Sequence, residues 1–385
     1  MKKITVVVGS RANLSSALPI MNQIKKSDEC ELSVVCFESA VSEQYGNISN
    51  SIEEMGFEVT NRIYSLSDGD PLAKMVMSTS NALNGFAGFF TNHEVDYVIV
   101  VGDRYEMMAP VIAAAYMNIK IVHTMGGEIT GTIDESIRHS ISKLSHIHCV
   151  ATDKSRKRLI QLGENPKLVF NTGCPRIDFV KAILQQDINV QKTITNDGVG
   201  CHINTDKEFL LLSFHPVTTE VDQIREDAKI LFDAIEECNL PTIALWPNSD
   251  GGGEYIAKEI RTRRETGRLK NLRIFKNFSV EIYTTLMNNC SVLVGNSSSG
   301  IREAAFIGTP VVNIGTRQKK RESTANVIHT SINKIEIIEA IREQLEAKKY
   351  ATSNLYGDGS ASEKILEAIT KAKVSIQKEF FEWNS

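Results

Sequence analysis

The sequence predicts an α/β protein made of two Rossmann-like, doubly wound domains that face each other across a cleft. Its 385 residues exceed the usual size of a single hydrophobic core. Short β-branched apolar runs alternate with longer amphipathic stretches, and this alternation stops in a polar segment and then restarts. Because such repetition builds parallel sheets, ligands are expected at the carboxyl ends of the strands.

The first half of the chain alternates predicted strands with predicted helices. Continuous apolar runs, typical of strands buried on both faces, cover residues 4–8, 32–37, 97–101, 120–123 and 147–151. Apolar residues at helical spacing cover residues 14–26, 72–90, 105–117 and 134–144. These elements predict an N-terminal Rossmann-like domain over residues 1–181.

The second half repeats the pattern after a polar break. Residues 182–207 have no sustained periodicity and predict a linker with a loop. A C-terminal Rossmann-like domain is predicted over residues 208–361, with strands at 209–214, 242–246, 272–275, 291–294 and 311–314. The last predicted helix, at 362–379 within a final segment 362–385, is compatible with packing on either domain, including the N-terminal one.

Composition narrows the class of protein. The net charge of -4 gives no bulk electrostatic reason to expect nucleic acid or an anionic membrane as a partner. The seven cysteines are scattered and form no C-x-x-C pair, which predicts reduced thiols. No apolar run approaches the length of about 18 residues that a membrane span needs. We therefore expect a cytoplasmic protein.

The junction after the predicted strand at 120–123 is rich in groups that transfer protons. It contains two adjacent glycines and then Glu128, Asp134, Glu135 and His139. Asp134 is placed to cap the following helix, with Glu135 in its first turn, which is the structural alternative to a catalytic role. Asp103 follows a neighbouring strand. Carboxylates gathered at one edge raise the pKa of at least one of them, which suits acid–base catalysis.

A second cluster, Gly-Asn-Ser-Ser-Ser-Gly-Ile-Arg-Glu, covers residues 295–303. It lies between a predicted strand and a helix predicted to begin at Ile301. Ser297 and Ser298 would there offer hydroxyls and free amides to a phosphate, although serine is also an ordinary helix cap. Glu303 is suited to accept hydrogen bonds from ribose hydroxyls, the alternative being a solvated charge.

Other polar residues follow predicted strands. Arg11 and Arg104 are suited to a diphosphate, and His215 and Asn248 follow two strands of the second half. No G-x-G-x-x-G follows the first strand, which disfavours a dinucleotide redox enzyme. The histidines at 139, 146 and 148 imply no ligand geometry, so no metal site is predicted.

Together these motifs resemble the hydrolysing UDP-N-acetylglucosamine 2-epimerases of sialic-acid biosynthesis, including the epimerase half of the bifunctional animal epimerase/kinase. The motifs that carry the resemblance are residues 11–15, 102–104, 126–139, 215–219, 247–248, 295–303 and 315–317. The resemblance implies a GT-B-like architecture, a UDP-sugar substrate, no cofactor, and a homodimer or homotetramer.

By position, the resemblance also implies site residues. The implied UDP contacts are Arg11, Ser15, Arg104, His215, Asn248, Phe278, Ser297, Ser298, Glu303 and Arg317. The implied catalytic carboxylates are Asp103 and Asp134, and Met125 occupies the position of a third. We assign supporting catalytic roles to Glu128, Glu135 and His139, with Glu128 as the best replacement for the carboxylate that Met125 lacks.

The implied reaction has two steps. UDP leaves C1 as the proton at C2 is removed, and water then adds to the resulting 2-acetamidoglucal to release N-acetylmannosamine. The rival substrate is UDP-N,N′-diacetylbacillosamine, as in legionaminic-acid pathways, because Met125 offers no partner to a 6-hydroxyl and this sugar has none. The rivals from other classes are a glycosyltransferase, which needs an acceptor, and a non-catalytic UDP-sugar-binding protein.

Overall fold

The computed structural model describes residues 1–69, 71–130, 133–217, 220, 222–247 and 252–382, with backbone alone at 12, 71 and 72. It divides into two compact units. The first unit contains Met1–Phe179 and Gly357–Ser385, and the second contains Val180–Tyr356. Within the described ranges, each unit holds one seven-stranded sheet.

The first unit is built on a wholly parallel sheet in the order β3-β2-β1-β4-β5-β6-β7. Its strands are β1 Lys2–Val8, β2 Cys30–Phe37, β3 Asn61–Ile63, β4 Tyr97–Val101, β5 Lys120–Thr124, β6 Ile147–Val150 and β7 Val169–Asn171. The strand order reverses between β1 and β4, where Val6 pairs with both Val34 and Ile99. Ligands of doubly wound folds bind at such a reversal.

The second unit repeats this design in the order β14-β13-β12-β9-β10-β11-β8. Its strands are β8 Val199–Gly200, β9 Leu210–Ser213, β10 Thr242–Leu245, β11 Leu272–Phe275, β12 Val292–Gly295, β13 Val311–Ile314 and β14 Val327–Thr330. The pairs are parallel except for the short edge strand β8, which runs antiparallel to β11. The order reverses between β9 and β12.

Helices connect the strands in both units. They are α1 Arg11–Lys25, α2 Ile48–Glu54, α3 Pro71–Asn92, α4 Met108–Tyr116, α5 Ile133–Leu144, α6 Asp153–Gln161, α7 Pro175–Ile183, α8 Val190–Asn196, α9 Ile224–Cys238, α10 Gly253–Glu265, α11 Val280–Asn289, α12 Glu303–Ile307, α13 Lys334–Ala347 and α14 Ala361–Lys371. The last of them, α14, packs on α1 in the first unit.

Each sheet is buried on both faces. In the first unit Val7 and Val98 pack with Phe86 of α3 in one apolar cluster. In the second unit Leu210 and Val292 lie in another. Strands buried in this way have continuous apolar runs rather than alternating ones. The predicted fold class, α/β with two Rossmann-like doubly wound units, is confirmed, and every predicted strand is present.

The polar segment 182–207 is more ordered than the sequence indicates. This segment, predicted as a linker with a loop, contains the helix α8 and the edge strand β8. Val190 and Ile194 of α8 are buried, and the Asn189 side chain accepts a hydrogen bond from the amide of Lys192. Two apolar anchors in a seven-residue helix are too few for periodicity to reveal.

The last predicted helix is shorter than expected. It ends at Lys371, and Ala372 has extended backbone. Beyond it, Ile376 accepts a hydrogen bond from Nε2 of His146 at 3.0 Å. The amide of Phe381 donates to the carbonyl of Gly163 at 2.9 Å. In a continued helix, the Ile376 carbonyl and the Phe381 amide would form hydrogen bonds within the helix. Here they form hydrogen bonds with other parts of the first unit instead.

Two further findings concern the described residues only. None of their helices is both long enough and apolar enough to cross a membrane. No group of three or more His, Cys, Asp or Glu residues among them is arranged to hold a metal ion.

Candidate active site

Asp103 lies directly beyond the carboxyl end of β4 and is bound by an arginine from α5. Gly102, with φ of 84°, turns the chain there. Arg138 donates from one terminal nitrogen to Oδ2 of Asp103 and from the other to the carbonyl of Glu128 at 2.7 Å. The Arg138 side chain is 1% exposed, whereas that of Asp103 is 25% exposed. A buried cation thus fixes a carboxylate that still reaches solvent.

The first turn of α5 carries Asp134 and Glu135. The helix begins at Ile133, so Asp134 lies inside the first turn and the prediction that it caps the helix is wrong. Glu135 instead accepts a hydrogen bond from the amide of Thr130 at 2.7 Å. This contact is structural, because it ties the preceding loop to the helix. Asp134 is half-buried.

His123 joins three elements beneath this site. Its Nε2 donates to the carbonyl of Gly102 at 2.8 Å, and its Nδ1 accepts from the hydroxyl of Ser142 in α5 at 3.0 Å. Burial lowers the pKa of His123 to about 3, so the ring is neutral. A Cβ on Gly126 would lie 2.8 Å from Oγ of Ser142, so only glycine allows this close approach.

The backbone after β5 turns sharply at Met125. This residue has φ of 64°, its side chain is buried, and its amide donates to the carbonyl of Cys149 at 2.8 Å. Gly127 also has positive φ, and a Cβ there would lie 2.4 Å from the carbonyl oxygen of Ser155. The turn leads into Glu128, which is buried. His139 is half-buried, and burial together with the Arg138 charge lowers its pKa.

The predicted UDP contacts of the first unit lie at the reversal between β1 and β4. Arg11 is exposed at the first position of α1, and Ser15 is half-buried one turn later. Asn13 fixes this helix start by donating to the carbonyl of Val101, the last residue of β4, at 3.1 Å. Arg104, three residues beyond the end of β4, therefore lies at the same edge of the sheet.

In the second unit, a reciprocal hydrogen-bond pair joins the ends of β9 and β12. The His215 amide donates to the Asn296 side chain, which donates back to the His215 carbonyl, both at 2.8 Å. The Asn296 carbonyl accepts from Arg317 at 3.1 Å. Burial first, and then the Arg317 charge, lower the pKa of His215 to about 3. The structure thus places two predicted UDP contacts around Asn296.

The serine cluster forms a tight turn rather than a helix start. Ser298–Gly300 is a 3₁₀ turn, and α12 begins only at Glu303, so the helix predicted from Ile301 is wrong at its start. The Ser297 hydroxyl accepts a hydrogen bond from the Ser299 amide at 3.4 Å. It therefore caps the short 3₁₀ turn, and the amide of Ser299 is not available to a longer α-helix. Ser297 and Ser298 remain half-buried, whereas Glu303 is buried.

Two predicted contacts remain. Phe278 follows β11, is half-buried, and packs its ring 4.6 Å from that of Phe275. Asn248 lies outside the described residues. Arg138, Asn296 and His123 were not among the site residues predicted from the sequence. Arg138 and Asn296 directly adjoin the predicted site residues His139 and Ser297, and that position was their only signal. His123 lies on β5, which holds no predicted site residue, so no signal in the sequence indicated it.

His123 and His215 make stability sensitive to acid. His123 and His215 each have a pKa of about 3 in the folded protein, against 6.5 in an unfolded chain. Stability is therefore complete above pH 6.5 and is lost as the pH falls from 6.5 towards 3, by about 1.4 kcal/mol per pH unit for each histidine. Urea unfolding between about pH 6.5 and 5 measures this slope. His215→Asn is expected to reduce it by one histidine's share, and an unchanged slope would contradict the assignment.

The chain is similar to known proteins over most of its length. The family model of UDP-N-acetylglucosamine 2-epimerase matches residues 22–370. The UDP-N,N'-diacetylbacillosamine 2-epimerase (hydrolyzing) of Legionella pneumophila is 36% identical over 370 residues, covering 96% of this chain and 95% of the relative. The UDP-N-acetylglucosamine 2-epimerase of Neisseria meningitidis is 29% identical over 390 residues, the whole of both chains.

A solved structure is similar over nearly the whole chain. The UDP-GlcNAc 2-epimerase of Methanocaldococcus jannaschii, in complex with UDP-GlcNAc and UDP, matches with a TM-score of 0.78 at 19% identity. The match covers 96% of this chain and 100% of that one. At this identity the likeness establishes the fold.

Two parallel sheets, each with charged or hydroxyl side chains beyond the carboxyl ends of its strands, define a two-unit Rossmann-like α/β protein. The family model and the relatives specify it further. The chain belongs to the UDP-N-acetylglucosamine 2-epimerase family and is an enzyme of its hydrolysing UDP-sugar 2-epimerase type. The resemblance predicted from the sequence motifs is confirmed.

Proposed function

We propose that this enzyme converts UDP-N,N′-diacetylbacillosamine into UDP and the free 2-epimer of the sugar. The reaction type is supported chiefly by one observation: a buried arginine, Arg138, fixes the partly exposed carboxylate of Asp103 beside a strand end. The choice of sugar is supported by the greater identity to the Legionella pneumophila relative, 36%, than to the Neisseria meningitidis relative, 29%.

The environment of Met125 agrees with this sugar. Its side chain is apolar and 6% exposed, at the position where the resemblance implies a third carboxylate. A buried apolar side chain gives a sugar hydroxyl no partner, and an unpartnered polar group is costly to bury. A 6-deoxy sugar avoids that cost.

In the first step the C1–O bond to UDP breaks and the C2 proton is removed, leaving a double bond between C1 and C2. The C2 proton is not acidic, so departure of UDP leads and positive charge develops at C1. We assign Asp103 and Asp134 as the proton-transferring pair. Arginine side chains and the half-buried Ser297 and Ser298 would stabilise the leaving diphosphate.

In the second step water adds to the double bond. Its hydroxyl goes to C1, and a proton is returned to C2 on the opposite face, so the sugar leaves with inverted configuration at C2. The balance is one UDP-sugar and one water consumed, with UDP and one free sugar released. Glu128 and His139 are assigned as supporting groups, and Glu135 supports the loop before α5 through Thr130.

UDP-N-acetylglucosamine is the second candidate substrate, with N-acetylmannosamine as its product. Its support is the family model and the 29% identity to the Neisseria meningitidis enzyme. It differs from the first candidate in carrying 4- and 6-hydroxyl groups in place of a 4-acetamido and a 6-deoxy group.

Incubation of the protein with each UDP-sugar in D2O distinguishes the candidates. Proton NMR is expected to show UDP release and deuterium at C2 of a free sugar, with kcat/KM for UDP-N,N′-diacetylbacillosamine at least about tenfold higher, as one lost polar contact usually gives. A higher kcat/KM for UDP-N-acetylglucosamine would favour the second candidate. No turnover of either substrate would refute both, and turnover that depends on an added sugar acceptor would indicate a glycosyltransferase.

A further inference from the structure

The turn after β4 contains a buried carboxylate that the proposed mechanism does not use. Glu106 follows Asp103 and Arg104 within a 3₁₀ turn, Tyr105–Met107. We propose that Glu106 is a positioning residue that orients the Arg104 guanidinium for the diphosphate of the UDP moiety. This proposal rests on the assignment of Arg104 as a UDP contact in the proposed function.

The contact between the two side chains is direct. Nε of Arg104 donates to Oε1 of Glu106 at 2.6 Å. The Arg104 side chain is 40% exposed and that of Glu106 is 1% exposed. A charge-assisted hydrogen bond from Nε to a fixed acceptor restricts the plane of the guanidinium group. Arg104 is therefore bound at Nε by a buried side chain, while part of Arg104 is exposed to solvent.

The fold makes room for this carboxylate at the strand reversal. A Cβ on Gly9, just beyond β1, would lie 3.0 Å from Cγ of Glu106, so glycine at that position leaves the needed space. Burial raises the pKa of Glu106, the Arg104 charge opposes this, and the charge of Glu38 adds to it. Burial of a carboxylate costs free energy because it disfavours the charged form. The positive charge of Arg104 offsets part of that cost.

Orientation before binding affects affinity. A free arginine side chain loses rotamer freedom when a ligand immobilises it, and that loss weakens binding. Because Glu106 already binds Nε of Arg104 before the ligand arrives, less rotamer freedom is lost on binding. Glu106 would thus strengthen binding of the diphosphate without contacting it.

A purely structural role for Glu106 is the competing explanation, and the neighbouring residue provides a control. The Tyr105 hydroxyl donates to Oε1 of Glu38 at 2.7 Å and ties the same turn to the end of β2. Tyr105→Phe removes that hydrogen bond and leaves the contact between Arg104 and Glu106 in place. If only the stability of the turn matters, Tyr105→Phe and Glu106→Gln should have similar effects on binding.

Calorimetric titration of the full chain with UDP, and with uridine as a probe that lacks phosphate, tests the proposal. Glu106→Gln still offers an oxygen to Nε of Arg104 but not the carboxylate charge. It is therefore expected to weaken UDP binding measurably, by at most about tenfold, the cost of one immobilised side chain. Uridine binding should be unchanged. Tyr105→Phe should change neither. In an Arg104→Ala background, Glu106→Gln should have no further effect on UDP binding, because the group it orients is gone.

The outcomes separate this proposal from the function on which it rests. Unchanged UDP affinity in Arg104→Ala would refute the UDP-binding role of Arg104. Weakened binding in Arg104→Ala with normal binding in Glu106→Gln would overturn the positioning role alone. Equal losses for UDP and uridine, or an undiminished loss in the Arg104→Ala background, would also overturn it. If Glu106→Gln does not fold, Glu106→Asp, which withdraws the carboxylate by one methylene group, is expected to give the same pattern.

Discussion

Asp103→Asn is expected to lower kcat by about 10²- to 10⁴-fold, the usual contribution of a general acid or base. The amide is nearly the same size as the carboxylate but cannot take up the C2 proton. Arg138 would still meet an oxygen acceptor, so the fold should persist. Asp134→Asn is expected to give a loss in the same range. The measurement is the rate of UDP release at saturating UDP-sugar.

The matched control for Asp103 lies at the other end of β4. Asp96 immediately precedes β4 at the opposite end, where its carboxylate accepts from the amide of Lys3 at 2.8 Å and is exposed. Asp96→Asn should leave kcat within about twofold, as surface substitutions usually do. UDP affinity should be retained in all three variants. Full activity in both Asp103→Asn and Asp134→Asn would refute the assignment of the proton-transferring pair.

Arg138→Met is expected to destabilise the protein by about 1–3 kcal/mol, the usual cost of removing the donor from a buried hydrogen bond. The substitution leaves the Glu128 carbonyl without its donor at 2.7 Å and frees Asp103 from its buried cation. Activity should fall as well, because Asp103 would no longer be held. Urea unfolding measures the first effect, and UDP release at a temperature where the variant is folded measures the second.

An exposed ion pair of the same type provides the comparison. Arg62 binds Glu53 at 2.6 Å, and the two side chains are 27% and 46% exposed. Arg62→Met should therefore cost only about 0–1 kcal/mol, because water screens such pairs. A similar loss in the free energy of unfolding for Arg62→Met and Arg138→Met would contradict the expectation that burial of Arg138 strengthens its contribution to stability.

The central strands of both sheets can be predicted from the sequence, whereas the short edge strand β8 cannot. The strand β4 and the first three residues of β9 are continuously apolar because both faces are buried, and that pattern is visible without a structure. The edge strand β8 has two residues, both exposed, and only its pairing with Arg273 and Ile274 of β11 makes it a strand. Such pairing depends on distant residues, so local sequence cannot indicate it.

For the candidate site, the sequence predicts where functional groups lie but not their partners. Asp103 and His215 were expected at strand ends because topology alone places such residues there. The pair formed by Asp103 and Arg138 joins positions 35 residues apart, and that formed by His215 and Asn296 joins positions 81 apart. Helix starts also proved unreliable. At Ser297 a side-chain hydroxyl competes with the helical hydrogen-bond pattern, and periodicity carries no information about that competition.

The order in which the chain is synthesised differs from the order in which its units are completed. Gly357–Ser385 belong to the first unit although the whole of Val180–Tyr356 precedes them. In this late segment Lys378 donates to the carbonyl of Lys143, at the last turn of α5, at 2.7 Å. The helix that holds Asp103 through Arg138 thus gains this hydrogen bond at its last turn only after residue 378 has left the ribosome. During synthesis of the second unit, α5 therefore lacks the hydrogen bond that Lys378 donates to Lys143.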